Sequence, residues 1–358
     1  MKKSMFPILL FAGIALAGCQ KNDIAPGGDE TLDNRANCQN KITIPAGSVD
    51  ALQQAIDDVC TGGTITLAAG IHTENAGVVV NKRVTIQGEE GAVLKVNTAA
   101  AYAYPIIVDA AITVSNAQNA RIENLEIRPM QSDPGGTAII LLHSKNAVVK
   151  NCKIYDHQFG VVVERSDNVQ IVDNYINTAA EVWQIYNMDA HAIIVVNGKG
   201  AKVTGNEAVN SFFGVWLCDK NGTYSGNETH GNLIGMILCK VPAGGVSLPD
   251  GTPVAADFSG TDWKVSNNNS HDNFSLGYLV IDGSNGNHLV NNAASNNTDW
   301  DIELVGNTCR FGFFTPAAFN NKVVAGSHQV SIKDCAENST ILGFPYVETG
   351  NCDSPDCP

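Results

Sequence analysis

From residue 138 onward the chain repeats one short pattern, a small or acidic residue followed by aliphatics. It reads Ala138-Ile-Ile-Leu-Leu, Gly160-Val-Val-Val-Glu, Ala192-Ile-Ile-Val-Val, Gly214-Val-Trp-Leu-Cys, Gly235-Met-Ile-Leu-Cys, Gly277-Tyr-Leu-Val-Ile and Asp301-Ile-Glu-Leu-Val. Successive starts lie 22, 32, 22, 21, 42 and 24 residues apart. This is a base period near 22 with one insertion of about ten residues and one of about twenty. An independent pattern keeps the same intervals. An aliphatic or Tyr, two residues and then Asn occurs at Ile171–Asn174, Val203–Asn206, Tyr224–Asn227, Val265–Asn268 and Leu289–Asn292, with the asparagines 32, 21, 41 and 24 apart. Ile122-Glu-Asn124 and Val149-Lys-Asn151 fit a slightly shifted version.

These units are β-branched and rich in Gly and Asn, with neither room nor propensity for a helix in each, which excludes a leucine-rich horseshoe. Short strands joined by Asn and Gly turns at a fixed period predict a β-solenoid. Stacking would place equivalent residues about 4.8 Å apart, so each asparagine amide can bond the one above and below. Alternation puts the second and fourth residues of the recurring strand inward and the third and fifth outward. The outward third position then runs Ile140, Val162, Ile194, Trp216, Ile237, Leu279, Glu303, an apolar stripe of the kind that marks a covered or binding surface. Ser48–Val59 predicts a capping helix, with Ser48 as N-cap and Val49, Leu52, Ile56 and Val59 on one face. The expected organisation is a signal segment over 1–18, a tether over 19–37, the solenoid with its cap over 38–335, and a C-terminal cap or tail over 336–358.

With its Asn ladder and Gly-Ile-x-Leu-type strands, the chain resembles the pectate-lyase-like superfamily of right-handed parallel β-helix proteins over roughly residues 38–335. The resemblance implies an all-β right-handed parallel β-helix. It leaves activity open, since the superfamily includes lyases, glycosidases, epimerases, esterases, adhesins and metal-maturation proteins. Ser270-His-Asp-Asn is similar to repeats of mannuronan epimerases, but the Asp-Pro-His-Asp/Glu tetrad is missing. The Asn-Thr-Asp, Asp-Asp and Gly-His-Gly motifs of polygalacturonase-like glycosidases are missing too. No family's catalytic set carries over.

The first residues, a Lys-Lys start and an apolar run from Met5 to Leu16, read as a secretory signal. Leu16-Ala17-Gly18-Cys19 resembles the bacterial lipobox, which implies cleavage before Cys19, its lipidation, and anchorage to the membrane of the cell envelope. Ten cysteines include Cys19. Cys38 and Cys60 are the expected disulfide of the first structured segment. Cys309, Cys335, Cys352 and Cys357 are candidates to staple the far end, with connectivity open. Cys218 and Cys239 fall at equivalent positions, which suits stacking better than a disulfide.

The net charge is −14 and falls to −16 once the two lysines of the signal are removed. With no basic stripe, nucleic acid is not an expected partner, and a polyanionic glycan would be repelled at long range unless a cation mediates, which weighs against an enzyme acting on one. Charged residues do gather where the recurring strands end: His143 and Lys145, Glu164 and Arg165, Asp219 and Lys220, then Lys240. β-Elimination of a polyuronate needs a base for the C5 proton and a cation on the carboxylate, and Lys220, Arg165 or Lys240 could serve, the base with its pKa lowered by neighbours. Glu164 and Asp219 could form an acid/base pair or hold Ca²⁺. An ordinary solvated ladder of alternating charge is the alternative. Two insertions, Asn177–His191 and Lys240–Asp262, flank the recurring sheet from opposite edges. They either wall a groove in which Trp183, Tyr186, Trp216 and His191 contact sugar, or simply bury the stripe. His230 and His271 each lie three residues after a ladder asparagine, as metal or proton-relay candidates or as turn residues.

The expected function is an exported, monomeric lipoprotein that binds a polysaccharide and, if it is an enzyme, degrades it by lyase chemistry. The alternative is a non-catalytic structural, adhesive or assembly lipoprotein of the envelope.

Overall fold

Each coil of the chain visits three parallel sheets in turn. The computed structural model describes residues 38–100, 106–107, 109–178, 190–240, 246–247, 259–310, 313–326, 330–344, 347–349 and 352. One coil illustrates the winding: Lys202–Thr204 lies in the first sheet, Glu207–Val209 in the second and Phe213–Lys220 in the third. Among the described residues the sheets hold 12, 9 and 10 strands. Most strands of the first two are three residues long and turn one side chain, such as Val203 or Ala208, into the core. The expected parallel β-helix is present.

Register is kept side chain for side chain. In the third sheet Val161 pairs with Ile193, Val215, Met236, Tyr278 and Ile302 on successive coils, so Gly160, Gly214 and Gly235 stand in one column. Strict alternation fails at this column. Ala138 and Ile139 are consecutive, yet both join the inner core, while the preceding position (Phe159 and His191 in the next coils) faces outward. The chain is turning the corner from the second sheet into the third, where Ala138, Gly160, Ala192, Gly214, Gly235 and Gly277 keep the column small. A Cβ on Gly235 would lie 2.0 Å from Ser270 Oγ and 2.7 Å from the Gly277 carbonyl.

The asparagine ladder occupies the turn between the first and second sheets. Asn174, Asn206, Asn227 and Asn268 each donate through Nδ2 to Oδ1 of the ladder asparagine on the next coil, at 2.8–3.0 Å. Each of those Oδ1 atoms also accepts the preceding asparagine's backbone N–H. Amides buried to within 6% of completely are thereby satisfied. The sequence pattern disclosed this ladder alone. A second, Ser211–Asn232–Asn273–Asn297, fills the turn between the second and third sheets, and Asn287 and Asn321 continue the motif at the remaining corner.

The capping helix is shorter than expected, Leu52–Asp58. Leu52, Ile56 and Val59 close the core as expected, but Val49 is 60% exposed. Ser48 is not the cap, because its hydroxyl donates back to the Pro45 carbonyl. The first helical N–H is taken instead by Glu74 Oε1 from the following coil, at 2.8 Å, a tertiary substitute for a local cap. Cys38–Cys60 is bonded as expected, and Cys335–Cys352 is a second disulfide. The side chains of Cys309 and Cys357 lie outside the described residues, as does Cys19.

Candidate functional site

The outer face of the third sheet, read from the sequence as either the floor of a groove or a covered stripe, is buried. Ile140, Val162, Ile194, Trp216, Ile237 and Leu279 are each at most 4% exposed and form an apolar layer separate from the inner core. Ile106–Ile107, which precedes a strand of this sheet, pairs in parallel with Val246–Ser247, which follows another. Trp183 and Tyr186 lie outside the described residues.

Trp216 and His191, expected to contact sugar, are instead part of this second layer. His191 is fully buried, 4.8 Å from the Trp216 ring centroid and stacked 5.1 Å from Phe213. Its Nδ1 accepts the Phe213 backbone N–H at 3.3 Å. Cys218 and Cys239 stack as unbonded thiols, Sγ to Sγ 3.7 Å.

The charged residues meet along the corner between the third and first sheets. Lys145, Arg165, Lys199, Lys220 and Lys240 supply one cation to each of five successive coils. Lys199 and Lys220 are paired in register, and Asp167 stands between Lys145 and Lys199 in the same column. His143 and Arg165 occupy neighbouring coils, next to the pair Leu142 and Glu164, and both adopt left-handed backbone, φ 49° and 47°. Burial and then the Arg165 charge lower the His143 pKa, favouring neutral imidazole. Glu164 is 1% exposed. Its oxygens accept both contacts from Asn197 Nδ2 (3.1 and 3.2 Å), and Arg165 Nε lies 3.4 Å away.

Asp219 holds the register position of Lys240 on the preceding coil but is fully buried. Burial, reinforced by Asp167, pushes its carboxyl well above the usual carboxylate range. Trp263 Nε1 donates to its backbone carbonyl at 3.0 Å. Glu164 and Asp219 stand two coils apart, in His157–Glu164 and Phe213–Lys220, and are not brought together as a pair. Among the described residues no group of three or more His, Cys, Asp or Glu is placed to hold a metal.

Sequence reasoning missed Asp282. It sits on the coil after Lys240, with Oδ2 3.4 Å from the Lys240 backbone N–H. Burial raises its pKa to about 6 against the opposing effect of Lys240. The signal was available, since Asp282 follows Ile281 in the frame in which Lys240 follows Cys239.

His230 and His271 pair in register on the outer face of the second sheet. His230 Nε2 meets Glu207 at 3.1 Å, and His271 meets Glu228 at 2.9 Å and Asp272 at 2.6 Å. The imidazoles engage carboxylates one by one and converge on no common point.

These features define a right-handed parallel β-helix with a cationic corner. Residues 69–182 match the family model described as the right handed beta helix region. Among solved structures, the chain is similar to the A-module of a mannuronan C-5 epimerase from Azotobacter vinelandii. The two are 14% identical, with 86% of this chain and 93% of that one covered and a TM-score of 0.53. It is also similar to a family 28 exopolygalacturonase from Yersinia enterocolitica (12% identity, 88% and 68% covered, TM-score 0.53). A surface adhesin of Streptococcus pneumoniae, PfbA, is similar at 13% identity, 83% and 87% covered and TM-score 0.50. No curated protein matches the chain in sequence. At these identities the likeness is one of fold.

Proposed function

We propose that the protein is an exported β-helix that binds an acidic polysaccharide along the corner between its third and first sheets and cleaves it by β-elimination. The carrying observation is the row of cations, one per coil from Lys145 to Lys240, in a chain of net charge −14. Coils spaced about 4.8 Å apart present charge at a repeat that suits an extended polyanion. Export is supported by the two disulfides, and attachment to the envelope would run through Cys19.

In the reaction His143 is the base and Arg165 faces the uronate carboxylate. Proton abstraction from C5 places an electron pair that becomes the C4–C5 double bond. The C4–O bond breaks, and the departing glycan oxygen takes a proton from water. Arg165 favours the step because the carboxylate gains negative charge as C5 loses its proton. Lys199, Lys220 and Lys240 hold neighbouring sugar units.

A second reading, binding without turnover, is favoured by Glu164, which already lies 3.4 Å from the Arg165 guanidinium. Polygalacturonate and alginate, followed by ultraviolet absorbance of unsaturated product, separate the two. The lyase reading expects product, and a loss on the order of a hundredfold in His143→Ala. Binding that weakens in Lys220→Ala without any product would leave the binding module. Failure of both polymers to bind would end both readings.

A further inference from the structure

The outer face of the first sheet carries a row of cations that no stretch of the sequence shows. Lys202, Thr223, Lys264, His288 and Lys322 pair in register on five successive coils. The four basic residues lie 62, 24 and 34 residues apart along the chain, and only the winding brings them together. Lys202, Lys264 and His288 are exposed, and Lys322 is half-buried. Among the described residues none of the four forms an ion pair, whereas Arg121, Arg128, Arg165 and Lys333 each meet a carboxylate.

The other outward column of the same strands runs Thr204, Ser225, Ser266, Val290 and Val324. Neither column therefore holds an acid over these coils, and hydroxyls accompany the first three. Asp262, in the turn before Lys264, directs its Oδ1 along the turns, where a Cβ on Gly286 would lie 2.3 Å from it. On the second sheet the same coils present Glu207 and Glu228, so an anion is drawn to one face and repelled from the next. A narrow chain can follow the row and avoid that acidic flank, which a bilayer or a wide duplex would also meet. The three lysines stand on every second coil, a repeat of about 9.6 Å. An extended, ribbon-like glycan turns alternate sugars to the same side, as a β-strand turns alternate side chains.

We propose that this face binds an extended acidic glycan lying along the helix axis, with the anion of every second sugar at Lys202, Lys264 and Lys322. Thr204, Ser225 and Ser266 meet its hydroxyls, as donors and acceptors both. The anion is a carboxylate or a sulfate. The site goes beyond the elimination proposed at the corner, since its residues neither take a proton nor face the reacting carboxylate. It holds polymer whether or not the corner cleaves it.

Biolayer interferometry of the folded protein on immobilised alginate, polygalacturonate and carrageenan, with neutral agarose as control, tests this. At least one acidic polymer should bind, and agarose should not. The triple change Lys202→Gln, Lys264→Gln and Lys322→Gln should weaken that binding about tenfold at low salt, as expected for three exposed ion pairs. It should also flatten the dependence on salt, with unchanged far-ultraviolet circular dichroism showing intact coils. Arginine at the same three positions should retain the affinity. Replacing the corner instead, with Lys199→Gln, Lys220→Gln and Lys240→Gln, should leave a binding component that the first triple change abolishes. If the corner variant binds nothing, or the first variant keeps wild-type affinity, this proposal is overturned and the corner alone holds the polymer. Absence of binding to all three acidic polymers would overturn both. Tighter binding through these lysines to phosphatidylglycerol vesicles or to a DNA duplex would overturn the assignment to a glycan.

Discussion

The imidazoles of His230 and His271 lie one above the other on adjacent coils, 5.1 Å between centroids and 7° between planes. Both nitrogens of His271 face carboxylate oxygens, and two acceptors call for two N–H donors, an arrangement that favours the imidazolium. Burial opposes that charge, but hydrogen bonds to Asp272 and Glu228 outweigh it and raise the His271 pKa. A histidine with a raised folded pKa contributes stability that is complete below its unfolded pKa and is lost as pH rises through the folded value. Thermal unfolding followed from pH 6 upward should show a decline that His271→Gln removes. The effect should stay below about 1 kcal/mol for a pair this open to water. An identical pH profile in the variant would contradict the assignment.

His157 should act in the opposite direction. It is fully buried, with Nδ1 donating to the Tyr155 carbonyl at 2.8 Å, and burial lowers its pKa to about 4. The unfolded chain takes up this proton first, so stability is complete above the unfolded pKa and falls as pH drops through about 4. The loss amounts to about 3 kcal/mol. Denaturant titrations at pH 7 and pH 4 should differ less in His157→Gln than in the parent.

The ladder makes a graded prediction. Asn227 donates to Asn268 and to the Val203 carbonyl and accepts from the N–H and Nδ2 of Asn206. Asn227→Ala strands several buried polar groups and should cost about 4 kcal/mol. Asn291, exposed and making one amide contact to Asn267, should cost about 1 kcal/mol on the same change. Equal losses measured by urea unfolding would mean that burial is not what gives the ladder its strength.

Glycines should separate by the space around them. Gly235→Ala drives a methyl against Ser270 and the Gly277 carbonyl and should destabilise by about 3 kcal/mol. Gly226 has open space and a φ of +65°, so Gly226→Ala should cost only about 1 kcal/mol of backbone strain. Calorimetric midpoints of the two variants decide the matter.

The winding was legible because stacking forces equivalent positions to repeat: the Gly160–Gly214–Gly235 column and the Asn174–Asn292 ladder are two records of one period. The cationic corner was legible for the same reason, since Arg165, Lys220 and Lys240 recur after the same strand. The exposure of the outer face was not. Val162 and Ile194 read alike under solvent or under cover, and the pairing of Val246–Ser247 with Ile106–Ile107 joins segments about 140 residues apart that share no pattern. Asp219 was misplaced because its register position, shared with Lys240, does not disclose its burial.

The amide column running from Asn174 to Asn292 has an evolutionary corollary. Every rung offers its neighbour the same donor and acceptor, so a whole turn can be copied or deleted and the flanking turns will still meet correctly. Such a chain can change its length in complete steps, and with it the reach of whatever polymer lies along its side, without redesigning its interior.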